Sequence, residues 1–318
     1  MVLFSLARNP IPSGAVVGTF AGHDGQLLRF ARFQATQGPR RGTICLFTGH
    51  AECIEKYFEI IADLSRRGFA VAIMDWRGQG GSYRAVTTDN RAWIRSYEEH
   101  DADLAQFMRE IVLPDCPPPY VALAHSMGGH IVLRSAAKAG SWFDRLVLST
   151  PMIKLPRSQL GLPEPIVRAF AEVACLLGFD KQPAPGAIDW RDGRGGFEEN
   201  RLTTDRERYS RNRALIEAAP HLTIGVPTIG WLRATMRSLA LVGDPAFPKK
   251  ISVPALFFIA GKDVVVDPSA IEDFSARIKS GTHVILANAK HEVMQETDEI
   301  RGRFWAAFDA YLNIGQTV

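Results

Sequence analysis

The sequence predicts an α/β protein in which helices flank a mostly parallel central sheet and one helical insertion interrupts the core. Between Thr43 and Ala139, short β-rich runs alternate with longer amphipathic runs, which is the pattern of a parallel sheet covered by helices. The pattern resumes at Ala255, and the segment from about Pro151 to Lys250 is rich in Pro, Gly, Arg and Trp and has no strand pattern. The expected organisation is a core in two parts, residues 1–150 and 251–318, with residues 151–250 inserted as a helical lid.

The elements can be predicted in order along the chain. An antiparallel hairpin is expected at one edge of the sheet, formed by Ala15–Phe20 and Leu27–Phe33. The buried strands follow as short apolar runs: Thr43–Phe47, Phe69–Asp75, Tyr120–Ala124, Arg145–Ser149, Ala255–Ile259 and Val284–Ala287. Apolar residues at helical spacing predict the covering helices around Tyr57 to Leu64, over Tyr97–Val112, and after Thr297 as an N-cap. The insertion follows a core strand, so it is expected over the carboxyl ends of the strands, where α/β proteins bind ligands.

Composition places the chain among ordinary globular proteins. Of its 318 residues, 46% are hydrophobic and 22% are charged, enough for one large α/β domain with an insertion. No apolar run approaches the roughly 18 to 20 residues that cross a bilayer, and no basic region leads into the apolar N-terminus. The net charge of +3 is too small to indicate a nucleic-acid partner. We expect a cytoplasmic protein, and contact with the inner face of the membrane stays open.

The cysteines and arginines indicate which ligands to expect. The four cysteines have no metal-ligand spacing, which predicts free thiols in a reducing compartment and no metal site: Cys45, Cys53, Cys116 and Cys175. Five arginines form a local basic run: Arg201, Arg206, Arg208, Arg211 and Arg213. A solvated helix face is the favoured interpretation of this run, and attraction to anionic lipid headgroups is the alternative. The sequence does not predict an oligomeric state.

The run from Val121 to Gly129 is typical of a strand-to-helix turn that presents a nucleophile. An apolar strand stops at Ser126 and turns into a helix, with Ala124 and Gly128 two positions before and after the serine. Small residues are needed there because such a turn crowds the backbone and strains its dihedral angles. A helix N-cap is the ordinary alternative for this serine. A serine hydroxyl attacks well only beside a base and beside amides that receive the oxyanion, so these partners must come from elsewhere in the chain.

The favoured base is His291 and the favoured acid is Asp263. His291 lies on a loop between the last strand and the last helix, and loops at strand ends often carry chemistry. Asp263 closely follows the strand Ala255–Ile259, whereas its rival Asp267 precedes Pro268 and is expected to cap a helix. The chain order Ser, Asp, His is one of the known orders of serine triads. Three other histidines are expected to be structural: His125, His130 and His283.

Two backbone amides are predicted to receive the oxyanion. One is the amide of Met127, at the start of the helix after the serine. The other is the amide of His50, in the loop Thr48-Gly49-His50 after the strand Thr43–Phe47, where Gly49 allows the backbone to approach closely. The imidazole of His50 is not assigned a role.

These residues resemble those of the α/β-hydrolase superfamily, and specifically of its lysophospholipase and monoacylglycerol lipase branch. The resemblance covers nearly the whole core, and five motifs carry it: Gly49-His50-Ala51-Glu52 through Lys56-Tyr57, Asp75-Trp76-Arg77-Gly78-Gln79-Gly80-Gly81-Ser82, His125-Ser126-Met127-Gly128-Gly129, Asp263 with Val265-Val266-Asp267, and His291-Glu292. The segment Phe197–Thr203 and the run Gly225-Val226-Pro227-Thr228 with Trp231 are similar to the lid of bacterial lysophospholipases. Thr48 and Ala124 depart from the branch, in which many members have His and Gly at these places.

The resemblance implies an α/β-hydrolase fold and a serine carboxylic-ester hydrolase that needs no metal or cofactor. Ser126 would attack an acyl carbonyl, His291 would shuttle the proton, and Asp263 would fix the imidazole tautomer. The implied substrates are small acyl esters, above all lysophospholipids or monoacylglycerols. The alternatives are a short-chain esterase or serine peptidase of the same fold, and a non-catalytic binding module. The apolar lid residues either line an acyl-chain groove or pack on the core: Ile166, Val167, Phe170, Val173, Leu176, Leu177 and Phe179.

Overall fold

Eight strands form one sheet in the order β1-β2-β4-β3-β5-β6-β7-β8. The computed structural model describes residues 2–157, 161–187, 189 and 196–315. Its strands are β1 (Val16–Ala21), β2 (Leu27–Phe33), β3 (Thr43–Phe47), β4 (Ala70–Met74), β5 (Tyr120–His125), β6 (Arg145–Ser149), β7 (Ala255–Ala260) and β8 (Gly281–Leu286). The predicted edge hairpin is confirmed, because β1 pairs antiparallel with β2 and β2 with β4, while the pairings from β4 through β8 are parallel.

The last strand begins at Gly281 rather than at the predicted Val284. It lies at the far edge of the sheet and is only partly buried. Its first residues are therefore polar or small, and they lack the apolar run that marked the central strands.

Helices cover both faces of the sheet. They are α1 (Phe58–Arg66), α2 (Tyr97–Phe107), α3 (Ser126–Ala136), α4 (Glu164–Leu176), α5 (Arg206–Ala218), α6 (Ile229–Val242), α7 (Pro268–Ala276) and α8 (Asp298–Tyr311). The buried apolar side chains form two main clusters. One includes residues of α1 and α8, and the other includes residues of α2, α3, α6 and α7. The predicted helix Tyr97–Val112 has a break in its hydrogen-bond pattern: α2 ends at Phe107 and a wider π turn continues to Val112.

The insertion lies between β6 and β7, as predicted, and contains α4, α5 and α6. Met236 and Leu239 of α6 are buried in the main core cluster, and α4 packs on α6 through Ala171, Ala174 and Ile229. The insertion is therefore anchored on the core by α6, which in turn carries α4.

Two arginines of α5 connect the insertion to helix α1 of the core. Arg208 and Arg211 each place a guanidinium nitrogen 2.6 Å from a carboxylate oxygen of Glu59 in α1, and Arg301 of α8 binds the same carboxylate. Neither interpretation of the basic run fits Arg208 and Arg211, because their charges face the core rather than solvent or lipid. In the described parts of the chain, no helix has the length and apolarity needed to cross a membrane.

Candidate active site

The turn between β5 and α3 holds Ser126 in a strained conformation. Ser126 has φ of 50°, in the left-handed region that costs energy for any residue except glycine. A Cβ atom at Gly128 would lie 2.5 Å from the carbonyl oxygen of Thr48, so no larger residue fits there. The crowding expected from the sequence is thus present on the carboxyl side of the serine, where the turn passes under the loop after β3.

Ser126, His291 and Asp263 form one row of hydrogen bonds. The hydroxyl oxygen of Ser126 lies 3.0 Å from Nε2 of His291, and Nδ1 of His291 lies 2.7 Å from Oδ2 of Asp263. The three side chains are far apart in sequence and lie beyond the carboxyl ends of β5, β8 and β7. A carboxylate accepts from Nδ1–H, which leaves Nε2 unprotonated and able to accept the serine proton.

Asp263 is held as an anion. Burial by itself would raise the pKa of this carboxyl, but the facing His291 and the backbone amides of Val265 and Val266 lower it below its ordinary value. These amides donate to Oδ1 at 2.7 and 3.1 Å, and Oδ2 is left for His291. The rival acid, Asp267, accepts from the amides at the start of α7 and caps that helix, as expected.

Thr150 fixes the loop that carries His291, a contact that the sequence reasoning missed. Its hydroxyl donates to the carbonyl oxygen of His291 at 2.9 Å, and its backbone amide donates to Phe258 at 2.9 Å. Thr150 has φ of 44°, which is rare for a β-branched residue. No local sequence signal marks this contact, because it joins the end of β6 to β7 and to the loop after β8.

The two predicted oxyanion donors are amides available for a ligand. In the loop after β3, the amide of Gly49 donates to Glu52 and that of Ala51 donates to Gln79 at 3.0 Å. The amide of His50 lies between them and has no acceptor among the described residues. Met127 lies in the first turn of α3, where backbone amides have no partner within the helix.

Lys56 joins two buried carboxylates beside this loop. Its ammonium lies 2.7 Å from Glu52 and 2.5 Å from Glu292, the residue after the histidine of the row. Burial opposes ionisation of Glu52, yet Lys56 lowers its pKa to about 2, and Tyr57 donates to it at 2.6 Å. Burial and the nearby Glu52 raise the pKa of Glu292. The sequence motifs include these residues, but only the structure indicates that they tie the oxyanion loop to the His291 loop.

The three histidines expected to be structural are buried or half-buried and hydrogen-bonded. His130 contacts Met152 O and Ser238 Oγ at 2.7 and 2.6 Å, and His283 contacts Ser275 at 2.9 Å. His125 lies beside the site, with its ring centroid 4.8 Å from that of His291. Burial lowers the pKa of His125 to about 4, so a neutral ring supports His291 from the side.

A cavity of about 1180 Å³ opens above Ser126 and His291. Its apolar wall includes residues of the insertion and of the loop after β7: Leu155, Leu162, Val167, Phe170, Leu232 and Val265. Its polar wall includes Asn200, Arg201, Tyr209, Asn212 and Arg213. The described residues contain no cluster of side chains suited to hold a metal ion.

The apolar lid residues divide between two environments. Val167 and Phe170 line the cavity, and Val167 is also buried in the main core cluster. Five others are exposed on the outer side of the insertion and neither line the cavity nor pack on the core: Ile166, Val173, Leu176, Leu177 and Phe179.

The strand order, the serine turn and the row of three side chains at the strand ends define an α/β hydrolase. Comparison with known proteins specifies the family: residues 38–298 match the model of the family described as "Serine aminopeptidase, S33", and the chain belongs to that family. It is 30% identical to "Lysophospholipase L2" of Escherichia coli (strain K12) over 294 residues, 89% of this chain and 83% of the relative. It is also 24% identical to "Monoglyceride lipase" of Rattus norvegicus over 272 residues, 85% of this chain and 84% of the relative.

Solved structures share the fold. A soluble variant of monoglyceride lipase from Saccharomyces cerevisiae superposes with a TM-score of 0.73 at 18% identity, covering 95% of this chain and 97% of the other. A thermostable carboxyl esterase from Bacillus coagulans gives a TM-score of 0.73 at 18% identity, covering 95% and 99%. The chain is thus an α/β hydrolase of a serine hydrolase family, and its relatives bear the names of ester-cleaving enzymes.

Proposed function

We propose that the protein is a serine carboxylic-ester hydrolase that cleaves lysophospholipids or monoacylglycerols through an acyl-enzyme on Ser126. The observation that carries the proposal is the hydrogen-bonded row of Ser126, His291 and Asp263 at the floor of a large cavity. Its geometry matches what nucleophilic catalysis by serine requires: a base in contact with the hydroxyl and an acid in contact with the base.

The proposed mechanism has two halves. In the first, Nε2 of His291 takes the proton as Ser126 Oγ attacks the carbonyl carbon, and the amides of His50 and Met127 stabilise the oxyanion. His291 then gives the proton to the departing alcohol oxygen. In the second half, His291 takes a proton from water, the hydroxide attacks the acyl-enzyme, and the carboxylic acid leaves as the proton returns to Ser126. Asp263 stays ionised throughout and stabilises the imidazolium.

The substrate class is supported by the two walls of the cavity. An acyl chain fits the apolar wall formed by residues such as Leu155, Val167 and Phe170, and a polar headgroup fits the wall around Asn212. An amphiphile with one chain presents both surfaces to the protein. The names of the relatives, a lysophospholipase and a monoglyceride lipase, agree with this class.

We also propose that the protein works on the cytoplasmic side of a membrane and touches lipid with the outer side of α4. Ile166 and Leu176 there are 53% and 83% exposed, with Val173 between them and Leu177 beside them. An exposed group of large apolar side chains is typical of a surface that meets lipid or another protein.

A peptidase is the second candidate, because the family description names a serine aminopeptidase. Such an enzyme needs a free carboxylate to bind the α-amino group of its substrate. Two of the carboxylates that line the cavity, Glu52 and Glu292, are both bound to Lys56 and are not free for this role. Glu199 also lines the cavity, so substrate profiling decides between the ester and the aminopeptidase substrate.

Labelling and substrate profiling of the purified protein test the proposal. A fluorophosphonate probe should label wild type and Ser141→Ala, a surface control, and should not label Ser126→Ala. Wild type should hydrolyse a lysophospholipid or a monoacylglycerol faster than a butyrate ester or an aminoacyl anilide. Loss of Ser126 should lower the rate by several orders of magnitude. Absence of labelling would favour a binding module, and preference for the anilide would favour the peptidase.

A further inference from the structure

The imidazole of His50 has no hydrogen-bond partner in the described part of the chain. Both ring nitrogens are buried, and neither meets a donor or acceptor among the described residues. Burying a polar group without a partner costs free energy, so buried polar groups in native proteins usually bond to protein, water or ligand. The proposed role of its backbone amide as an oxyanion donor does not account for this side chain.

The ring lies where it can meet a substrate. His50 lines the large cavity together with Ser126, and its ring packs on Trp231 of α6 with centroids 4.5 Å apart. Because the amide of the same residue is the proposed oxyanion donor, the side chain starts one atom from the group that binds the reacting carbonyl. Substituents next to the ester are therefore the parts of a substrate that this ring can reach.

The charge of the His50 ring limits which chemical groups can bind to it. Burial lowers the pKa of His50 to about 4, although the nearby Glu52 acts in the opposite direction. The ring is therefore neutral at pH 7, with one nitrogen that donates and one that accepts. A hydroxyl group can do both in return, whereas a phosphate offers only acceptors and an ammonium only donors.

A second, much smaller cavity lies between His50 and His100. Its volume is about 10 Å³, room for one water molecule at most, and Nδ1 of His100 is also without a partner among the described residues. Burial lowers the pKa of His100 to about 3, so both rings are neutral. One water can serve a single nitrogen of His50. The other nitrogen is then still without a partner, and the large cavity is the second space that His50 lines.

We propose that His50 recognises a free hydroxyl on the carbon adjacent to the ester-bearing carbon of the substrate alcohol. This inference rests on the proposed function and names a determinant of selectivity within it. A 1-monoacylglycerol and a 1-acyl lysophospholipid both carry such a hydroxyl, and a simple alkyl ester does not. His50 thus selects esters of polyols, and it does so without distinguishing the two headgroups.

The test compares two esters of the same fatty acid, the 1-glycerol ester and the propyl ester, on four proteins. Wild type should prefer the glycerol ester by about tenfold in kcat/KM, the size of one neutral hydrogen bond. His50→Phe keeps an aromatic ring against Trp231 and should lower this ratio to near one. His50→Gln, which has both a donor and an acceptor, should restore part of the ratio. His283→Gln, a change to a histidine away from the site, should leave the ratio as in wild type.

The outcomes separate this inference from the proposed function. If wild type hydrolyses neither ester, the proposed function fails. If it hydrolyses both esters with equal kcat/KM, or if His50→Phe keeps the glycerol preference, the role of His50 is wrong and the hydrolase assignment stands. Fluorophosphonate labelling of Ser126 in each variant shows that the site is assembled. Should His50→Phe fail to fold, the wild-type ratio and His50→Gln still decide: a variant ratio above the wild-type ratio contradicts the proposal.

Discussion

Replacing Glu59 by glutamine removes a charge that links α5 of the insertion to α1 of the core. This carboxylate, 24% exposed, binds Arg208 and Arg211 of α5 and Arg301 of α8. Glu59→Gln keeps the shape of the side chain and its ability to accept a hydrogen bond. It leaves three guanidinium groups close together without the negative charge between them. We expect the free energy of unfolding to fall, with the loss centred on the contact between α5 and α1.

The pKa of Glu59 gives the size of the effect. Burial would raise this pKa, but the hydrogen bonds from Arg208 and Arg211 and the charge of Arg301 lower it from 4.5 to about 2. A pKa change of this size corresponds to about 3 kcal/mol of stability at pH 7. Solvent screens a partly exposed group, and glutamine retains some of the hydrogen bonding. A loss of about 1 to 2 kcal/mol is therefore expected.

Urea unfolding at a series of pH values is the assay. Because the folded-state pKa of Glu59 is depressed, its stabilisation is fully present above the ordinary value of 4.5 and is lost as the pH falls toward about 2. The difference between wild type and Glu59→Gln should therefore shrink over that range. The matched control is Glu198→Gln, which breaks an ion pair to Arg206 on the surface, where the two side chains are 80% and 66% exposed. It should cost less than about 0.5 kcal/mol. Equal losses in the two variants, or a difference that grows in acid, would refute the reasoning.

Two further substitutions test the site. Asp263→Asn should lower kcat for ester hydrolysis by about 10⁴-fold, because an amide leaves His291 in the wrong tautomer, and a loss below tenfold would contradict the role of this acid. Gly128→Ala places a methyl group 2.5 Å from the carbonyl oxygen of Thr48 and should lower both the Tm and the fluorophosphonate labelling rate. Gly302→Ala on α8, where the added atom meets nothing within 4 Å, should leave labelling unchanged and hold or raise the Tm. The same drop in both glycine variants would show that the elbow is not specially crowded.

The core could be predicted because its signals are local. Short apolar runs between turns mark buried strands, and the chain turns at Gly25 and Gly68 have φ of 80° and 91°, where glycine is favoured. The prediction was weakest at β8, which lies at an edge and is only partly apolar. The positions of Ser126, Asp263 and His291 after their strands also follow from order along the chain, since parallel strands bring their carboxyl ends to one side of the sheet.

The contacts around the three residues could not be predicted, because they join loops that follow different strands. The strained Thr150 supports the His291 loop, and Lys56 reaches Glu292 from a position 236 residues away in the chain. The direction in which the arginines of α5 point could not be predicted for the same reason. A run of basic residues has the same composition whether it faces solvent or a carboxylate, and only the packing of α5 against α1 decides between them.

Under the proposed function, the chemistry and the selectivity of the site depend on different parts of the chain. Ser126, His291 and Asp263 project from the ends of core strands, whereas much of the cavity wall belongs to an insertion that is held by α6 and by the arginines bound to Glu59. Loosening that hold in Glu59→Gln should leave the row of three side chains intact and change the wall along which an acyl chain is proposed to lie. A short ester that does not reach this wall should be hydrolysed at nearly the wild-type kcat/KM, and a long-chain ester should lose more. If both esters lose activity equally, the insertion supports the catalytic residues themselves, and the division drawn between core and insertion is wrong.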